Sequence, residues 1–208
     1  MNKNFKKSIL KVAHFYDGNK VGDIGPLGFR RSTDLMRLTR CVDNLLEKKF
    51  LVPGQSLFLD MGCADGRVNV LFSYFVKRSI GIELDEWSLG EYSILKDRLE
   101  TVLKEDNLLH PPDNVSLFHG DTTDESLHGL IRERTGLGFE DFDLFYTYLT
   151  MNDEFADLIR KKAKEGALFM VYGLDRIMPR YKGLRLLTPD KPLGGILALY
   201  RKEHPRIP

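Results

Sequence analysis

Apolar and polar positions change period several times along this chain, and those changes mark out its elements. Between residues 5 and 16, Phe5, Ile9, Val12, Ala13 and Tyr16 recur at helical spacing. A glycine-bearing loop follows over 17–28, and Ser32-Thr33-Asp34 offers a cap for a second helix. Leu35, Leu38, Val42, Leu45 and Leu46 give that helix one apolar face, and Pro53-Gly54 ends the connection. From there, short apolar runs alternate with helical stretches. The runs fall at 57–61, 79–83, 115–118, 143–149 and 167–172. The helices are expected over about 68–75, over 88–105 with Tyr92, Leu95, Leu99 and Val102 on one face, around Leu127, Leu130 and Ile131, and around Phe155, Leu158 and Ile159. Strand alternating with helix predicts a parallel sheet. Two late strands, at 183–187 and 195–200, have only a turn-rich segment between them and predict a terminal hairpin. The expected architecture is α/β: a single doubly wound, mostly parallel seven-stranded sheet with a C-terminal antiparallel hairpin strand. Residues 1–31 read as a helical and loop extension, a lid or a packing arm, and 32–208 as the sheet domain.

Composition narrows the classes. The 208 residues are 42% hydrophobic and 29% charged, which suits one soluble domain with an ordinary core. With 31 basic and 30 acidic side chains the formal net charge is +1, which argues against a broad electrostatic grip on nucleic acid. Two cysteines, Cys41 and Cys63, form neither a disulfide framework nor a metal-ligand spacing, and the histidines are scattered. No apolar run reaches the ~18 residues of a membrane span. The basic start, Met1 to Lys7, lacks the continuous apolar core of a signal peptide. A reducing, cytoplasmic setting, no membrane span and no metal are therefore expected.

The densest chemistry lies at Asp60-Met61-Gly62-Cys63-Ala64-Asp65-Gly66, directly after Leu57-Phe58-Leu59. A buried strand stops on a carboxylate and breaks into a turn of small residues, which lets a ligand approach the backbone. A dinucleotide loop sets its glycines against a pyrophosphate. Here a carboxylate guards the turn, and the spacing is not Gly-x-Gly-x-x-Gly, so a ligand carrying an ammonium group fits better. Two more acidic groups end the next two strands. Glu83 is placed to accept from a ribose diol, and Asp121, beside Gly120, from an exocyclic amine. Plainer alternatives exist for each: a helix cap for Asp60, a solvated strand end for Glu83, a local cap for Asp121. Cys63 reads as a small packing residue, with no base nearby in sequence.

The turn resembles motif I of the class I S-adenosylmethionine-dependent methyltransferases, with Ala64 where the second glycine stands. Glu83 resembles that family's ribose ligand, and His119-Gly120-Asp121 the segment flanking adenine; the likeness spans roughly 32–202. It implies S-adenosyl-L-methionine as cofactor, held by Asp60, Gly62, Cys63, Ala64, Gly66, Glu83, Leu84, Asp121 and Thr122. A narrower likeness, carried by 81–87, Tyr148-Leu149 and 164–167, is to small protein lysine methyltransferases that lack a SET domain.

The resemblance implies methyl transfer to a nucleophile, with a protein lysine first and a small molecule second; a non-catalytic cofactor-binding scaffold is the remaining alternative. Tyr146 and Tyr148 share one face of the fourth strand by period two and are the catalytic candidates, as rings beside a cation. Asp143 starts that strand, too far down the sheet. The Asn/Asp-Pro-Pro-Tyr/Phe motif of amino-group methyltransferases is absent; the strand reads Tyr146-Thr147-Tyr148-Leu149. Asn152, Asp153 and Glu154 read as a helix start. Arg30 or Arg31 is a candidate partner for the cofactor carboxylate, with two solvated arginines as the plainer reading.

Overall fold

The computed structural model describes residues 3–19 and 32–203. The arginines at 30 and 31 and most of the 17–28 loop lie outside the described residues. Two helices, α1 (Lys3–Gly18) and α2 (Leu35–Glu47), precede the sheet. There follow β1 (Leu57–Met61), α3 (Arg67–Ser73), β2 (Arg78–Glu83), α4 (Glu86–Glu105), β3 (Val115–His119), α5 (Glu125–Thr135), β4 (Leu144–Tyr148), α6 (Asn152–Lys162) and β5 (Leu168–Tyr172). The chain closes with β6 (Leu184–Leu186) and β7 (Leu197–Lys202).

The seven strands lie in the order β3-β2-β1-β4-β5-β7-β6. The first five are mutually parallel, while β7 runs antiparallel to both β5 and β6. The parallel sheet and the antiparallel C-terminal hairpin are as the hydrophobic pattern predicts. β6 is shorter than its apolar run. Beyond Leu186 the pairing turns irregular, with Leu187 N–H donating to the Leu199 carbonyl and Leu199 N–H to Thr188 Oγ1.

The inner strands β1, β2, β4, β5 and β7 bury both faces, one side chain up and the next down, as a sheet covered by helices requires, while the edge strands β3 and β6 are only partly covered. One layer holds Val12 and Tyr16 of α1, Leu38 and Leu45 of α2, α3, and Leu95, Leu99 and Leu103 of α4. The other holds Leu127 and Ile131 of α5 and Phe155 and Ile159 of α6. The described part of the N-terminal extension is thus packed in the first layer. Short acidic side chains start the helices: Asp34, Asp85 and Asp124 each accept a backbone N–H of the first turn. The α5 cap is therefore Asp124, and the Asp121 carboxylate bonds Thr123 instead.

Two substitution-sensitive contacts hold α3 against β2. Asn69, fully buried, donates from Nδ2 to Ser79 Oγ and to the Ile80 carbonyl. Gly81 leaves room for that side chain and for the turn after β1. A Cβ there would lie 2.6 Å from Leu117 Cδ2, 2.7 Å from Asn69 Oδ1 and 2.8 Å from Cys63 Sγ. Gly81→Ala is expected to cost about 1–3 kcal/mol, the range for overpacking a core. Urea unfolding monitored by circular dichroism measures it, and a midpoint unchanged from the parent would contradict the tight fit.

Candidate active site

The strand order reverses between β1 and β4, and ligands in such sheets bind outside the carboxyl ends of the strands at that point. Asp60 and Tyr146 are register partners across this junction. Above them opens a cleft of about 470 Å³, including space open to solvent, lined by Thr33, Asp60, Gly62, Ala64, Tyr146 and Tyr148 among others.

The turn after β1 is tied to the end of β2. Gly62 and Cys63 N–H both donate to the Ile82 carbonyl at 2.9 Å. Ala64 N–H donates to Glu83 Oε2 at 2.7 Å, and Asp85 N–H to Glu83 Oε1 at 2.9 Å. Glu83 is therefore a clamp as well as a rim carboxylate, since one side chain fixes both the turn and the start of α4. Gly62 and Gly66 have φ of 101° and 72°, a region that favours glycine. Ala64 joins them at φ 48°, a strained conformation for a residue with a Cβ.

Asp60 is 1% exposed, and its Oδ1 has no hydrogen-bond partner. It caps no helix; α3 starts on Gly66 with no side-chain cap. Burial, then the neighbouring charges of Glu83 and Asp65, hold the Asp60 carboxyl well above its usual range. A buried carboxyl with an unpartnered oxygen, lining a cleft, becomes complementary to a cation once it ionises. Cys63 is buried and its thiol is pushed up, by burial and then by Asp60, so it stays a protonated packing group.

The outer residues knit the ends of β2 and β3. Gly120 N–H donates to the Glu83 carbonyl, and His119 Nε2 lies 3.0 Å from the Leu84 carbonyl. The Leu84 side chain is 63% exposed, an apolar group left bare at the rim. Asp121 is exposed, and its Oδ1 accepts from Thr123 N–H and hydroxyl, so its local bonds are those of a turn. Thr122 is buried, with its carbonyl 2.8 Å from His128 Nε2. Of the residues that the resemblance implies, Asp60, Gly62, Cys63 and Ala64 line the cleft, while Gly66, Glu83, Leu84, Asp121 and Thr122 lie outside its lining.

On the other side stand three tyrosines. The Tyr146 hydroxyl is 2.7 Å from Thr33 Oγ1, and burial followed by Asp60 raises it well above its usual range. Tyr172 hydroxyl donates to the Asp34 carbonyl, and the Tyr148 ring stands edge-on to Tyr172 at 5.0 Å. Tyr146 is thus a buried, protonated brace, and half-buried Tyr148 is the ring that the cleft leaves accessible. Asp143 sits at the opposite end of the strands, just before β4, where it accepts Leu57 N–H and pairs with Lys164. Ser32 and Thr33 also line the cleft, a placement the helix-cap pattern does not reveal. Among the described residues no group of His, Cys, Asp or Glu is placed to hold a metal, and no helix is long and apolar enough to cross a membrane.

No protein-family model matches the sequence, and no curated protein matches it. Solved structures do match the fold. An RNA methyltransferase from Salinibacter ruber in complex with S-adenosyl-L-homocysteine superposes with a TM-score of 0.54 at 15% identity, over 86% of this chain and 97% of that one. A tRNA methyltransferase from Aquifex aeolicus gives 0.52 at 15% identity, over 90% and 77%. The fold of this chain is that of the class I S-adenosylmethionine-dependent methyltransferases.

Proposed function

We propose that the protein is a class I methyltransferase that uses S-adenosyl-L-methionine to methylate an amine nitrogen, with a protein lysine as the acceptor. The observation that carries the cofactor is the buried Asp60 with its unpartnered oxygen at the switch point of this fold. The residues fit the group. Asp60 suits its ammonium, the turn from Gly62 through Cys63 and Ala64 to Gly66 admits it to the backbone, and Glu83 keeps carboxylate lone pairs beyond its two N–H bonds for the ribose. Leu84, exposed after β2, offers an apolar face for the base, and Asp121 and Thr122 follow the neighbouring strand β3. S-adenosylmethionine supplies an electrophilic methyl on a sulfonium, so the protein's work is to position, desolvate and drain a proton.

The amine acceptor is supported by the aromatic and acidic character of the β4 side. Tyr148 presents an accessible ring to the cleft, and an aromatic face attracts an ammonium. The amine must lose a proton before its nitrogen attacks, and the cleft includes space open to solvent that can take it. Tyr146, committed to Thr33, fixes the shape of the cleft instead of taking that proton.

Tyr148→Ala is expected to lower kcat about 10- to 100-fold, as loss of a positioned group does, with cofactor affinity within about threefold of the parent. Single-turnover and equilibrium-binding measurements separate the two. The acceptor is tested by incubating protein with methyl-labelled cofactor and a cell lysate. A labelled protein yielding methyl-lysine on hydrolysis is the expected product. A labelled small molecule or RNA would replace the lysine acceptor, and tight cofactor binding without any labelled product would favour a scaffold.

A further inference from the structure

Arg67 follows Gly66 directly and is 4% exposed. Its guanidinium grips both oxygens of buried Asp65, with Nη2 at 2.7 Å and Nε at 3.0 and 3.1 Å. The same group donates from Nη1 to the Tyr16 carbonyl at 3.2 Å and from Nη2 to the Asn19 carbonyl at 3.0 Å, and it lies over the Tyr16 ring. Carbonyls at the end of a helix lack intrahelical donors and carry the negative end of the helix dipole, so a cation is well matched to them. Burying an ion pair is costly compared with apolar packing, and α1 already has Val12, Ala13 and Tyr16 fully buried. The pair is therefore not needed merely to seat the helix.

The same end of α1 makes two further connections. Asp17 accepts Leu35 N–H on Oδ1 and Met36 N–H on Oδ2, which fixes the start of α2 just beyond Thr33 and its bond to Tyr146. Arg98 of α4 donates to Asn19 Oδ1. The end of α1 is thus bonded to the Asp60–Gly66 turn, to the start of α2 and to α4.

We infer that Arg67 is a positioning residue that joins α1 and the cofactor turn into one unit, so that the seating of α1 sets the affinity of the turn for its cofactor. The inference rests on the cofactor assigned above. Coupling is reciprocal: if α1 tightens the turn, the cofactor must also stabilise the end of α1. Lysine at position 67 would keep the charge beside Asp65 but cannot span a carboxylate and two carbonyls with fixed geometry.

The experiment combines titration with S-adenosylhomocysteine and amide hydrogen exchange over residues 3–19, on the parent, Arg67→Ala and Arg67→Lys. In the parent, S-adenosylhomocysteine binds and slows exchange at the end of α1. Arg67→Ala is expected to bind about tenfold or more weakly, within the usual span of coupled sites, and to lose the protection of α1 on binding. At saturating cofactor its kcat should stay within about threefold, a split that general loss of stability would not produce. Arg67→Lys should fall between, and it decides the matter if the alanine variant does not fold. Failure of the parent to bind overturns the cofactor assignment and this inference with it. Binding by the parent, with affinity and α1 protection unchanged in the folded variants, overturns the inference alone.

Discussion

Asp60→Asn is expected to make the ligand-free protein more stable at neutral pH while removing most of its affinity for the cofactor. Both effects come from one buried carboxyl. Its value is raised, by burial first and then by Glu83 and Asp65, so the folded protein holds this proton at a pH where the unfolded chain has lost it. The stability associated with that proton is complete below the ordinary carboxylate range and is lost as pH rises through the raised folded value. Asparagine has no such proton to lose. Above that window the variant should be more stable than the parent by about 1.4 kcal/mol for each unit by which the folded value exceeds the unfolded one, and its stability should vary less with pH. Thermal unfolding across pH measures this, and a variant less stable than the parent at neutral pH would contradict it. The loss of affinity should reach about 100-fold or more, because deleting one member of a buried charge pair costs about 3–5 kcal/mol. The parent's own affinity should rise with pH through the same window, since a neutral Asp60 must give up its proton to pair with an ammonium.

Glu83→Gln should show the other large effect, with the opposite sign for stability. Both carboxylate oxygens accept backbone N–H groups, from Ala64 and Asp85. An amide offers one acceptor and sets its NH2 against the other N–H. Stability should fall by about 1.5–3 kcal/mol, the range for a lost hydrogen bond to a charged group. Cofactor affinity should fall about 10- to 100-fold, because the turn loosens and one acceptor for the ribose is lost. Unfolding and cofactor titrations on one preparation test both. Reduced affinity with unchanged stability would show that the clamp contributes little and that Glu83 acts only as a rim ligand.

Much of the fold was legible because its signals are local. Apolar runs such as 57–61 and 167–172 must be buried strands, and the helical period between them leaves one topology class. Asp60 was legible for the same reason, as a carboxylate ending an apolar run before glycines. What escaped the sequence are side chains whose partners are remote in the chain. Thr33 reads as part of a helix cap, yet it bonds Tyr146 across 113 positions. Asp65 and Arg67 form a buried ion pair that no local pattern marks, since the guanidinium's other partners are the remote Tyr16 and Asn19 carbonyls. Glu83 reads as a ribose acceptor, while its bonds to the turn depend on how β1 and β2 end side by side. Asp121 shows the reverse: a rim position that sequence marks out, whose visible bonds are those of a local turn.

The central claim is that the cleft above Asp60 is an S-adenosylmethionine site. Calorimetric titration of the parent protein with S-adenosylhomocysteine, and separately with NAD, tests it most directly. The predicted result is one saturable site for S-adenosylhomocysteine, abolished or severely weakened by Asp60→Asn, and no heat with NAD. Binding of NAD without binding of S-adenosylhomocysteine, or S-adenosylhomocysteine binding indifferent to Asp60, would contradict it.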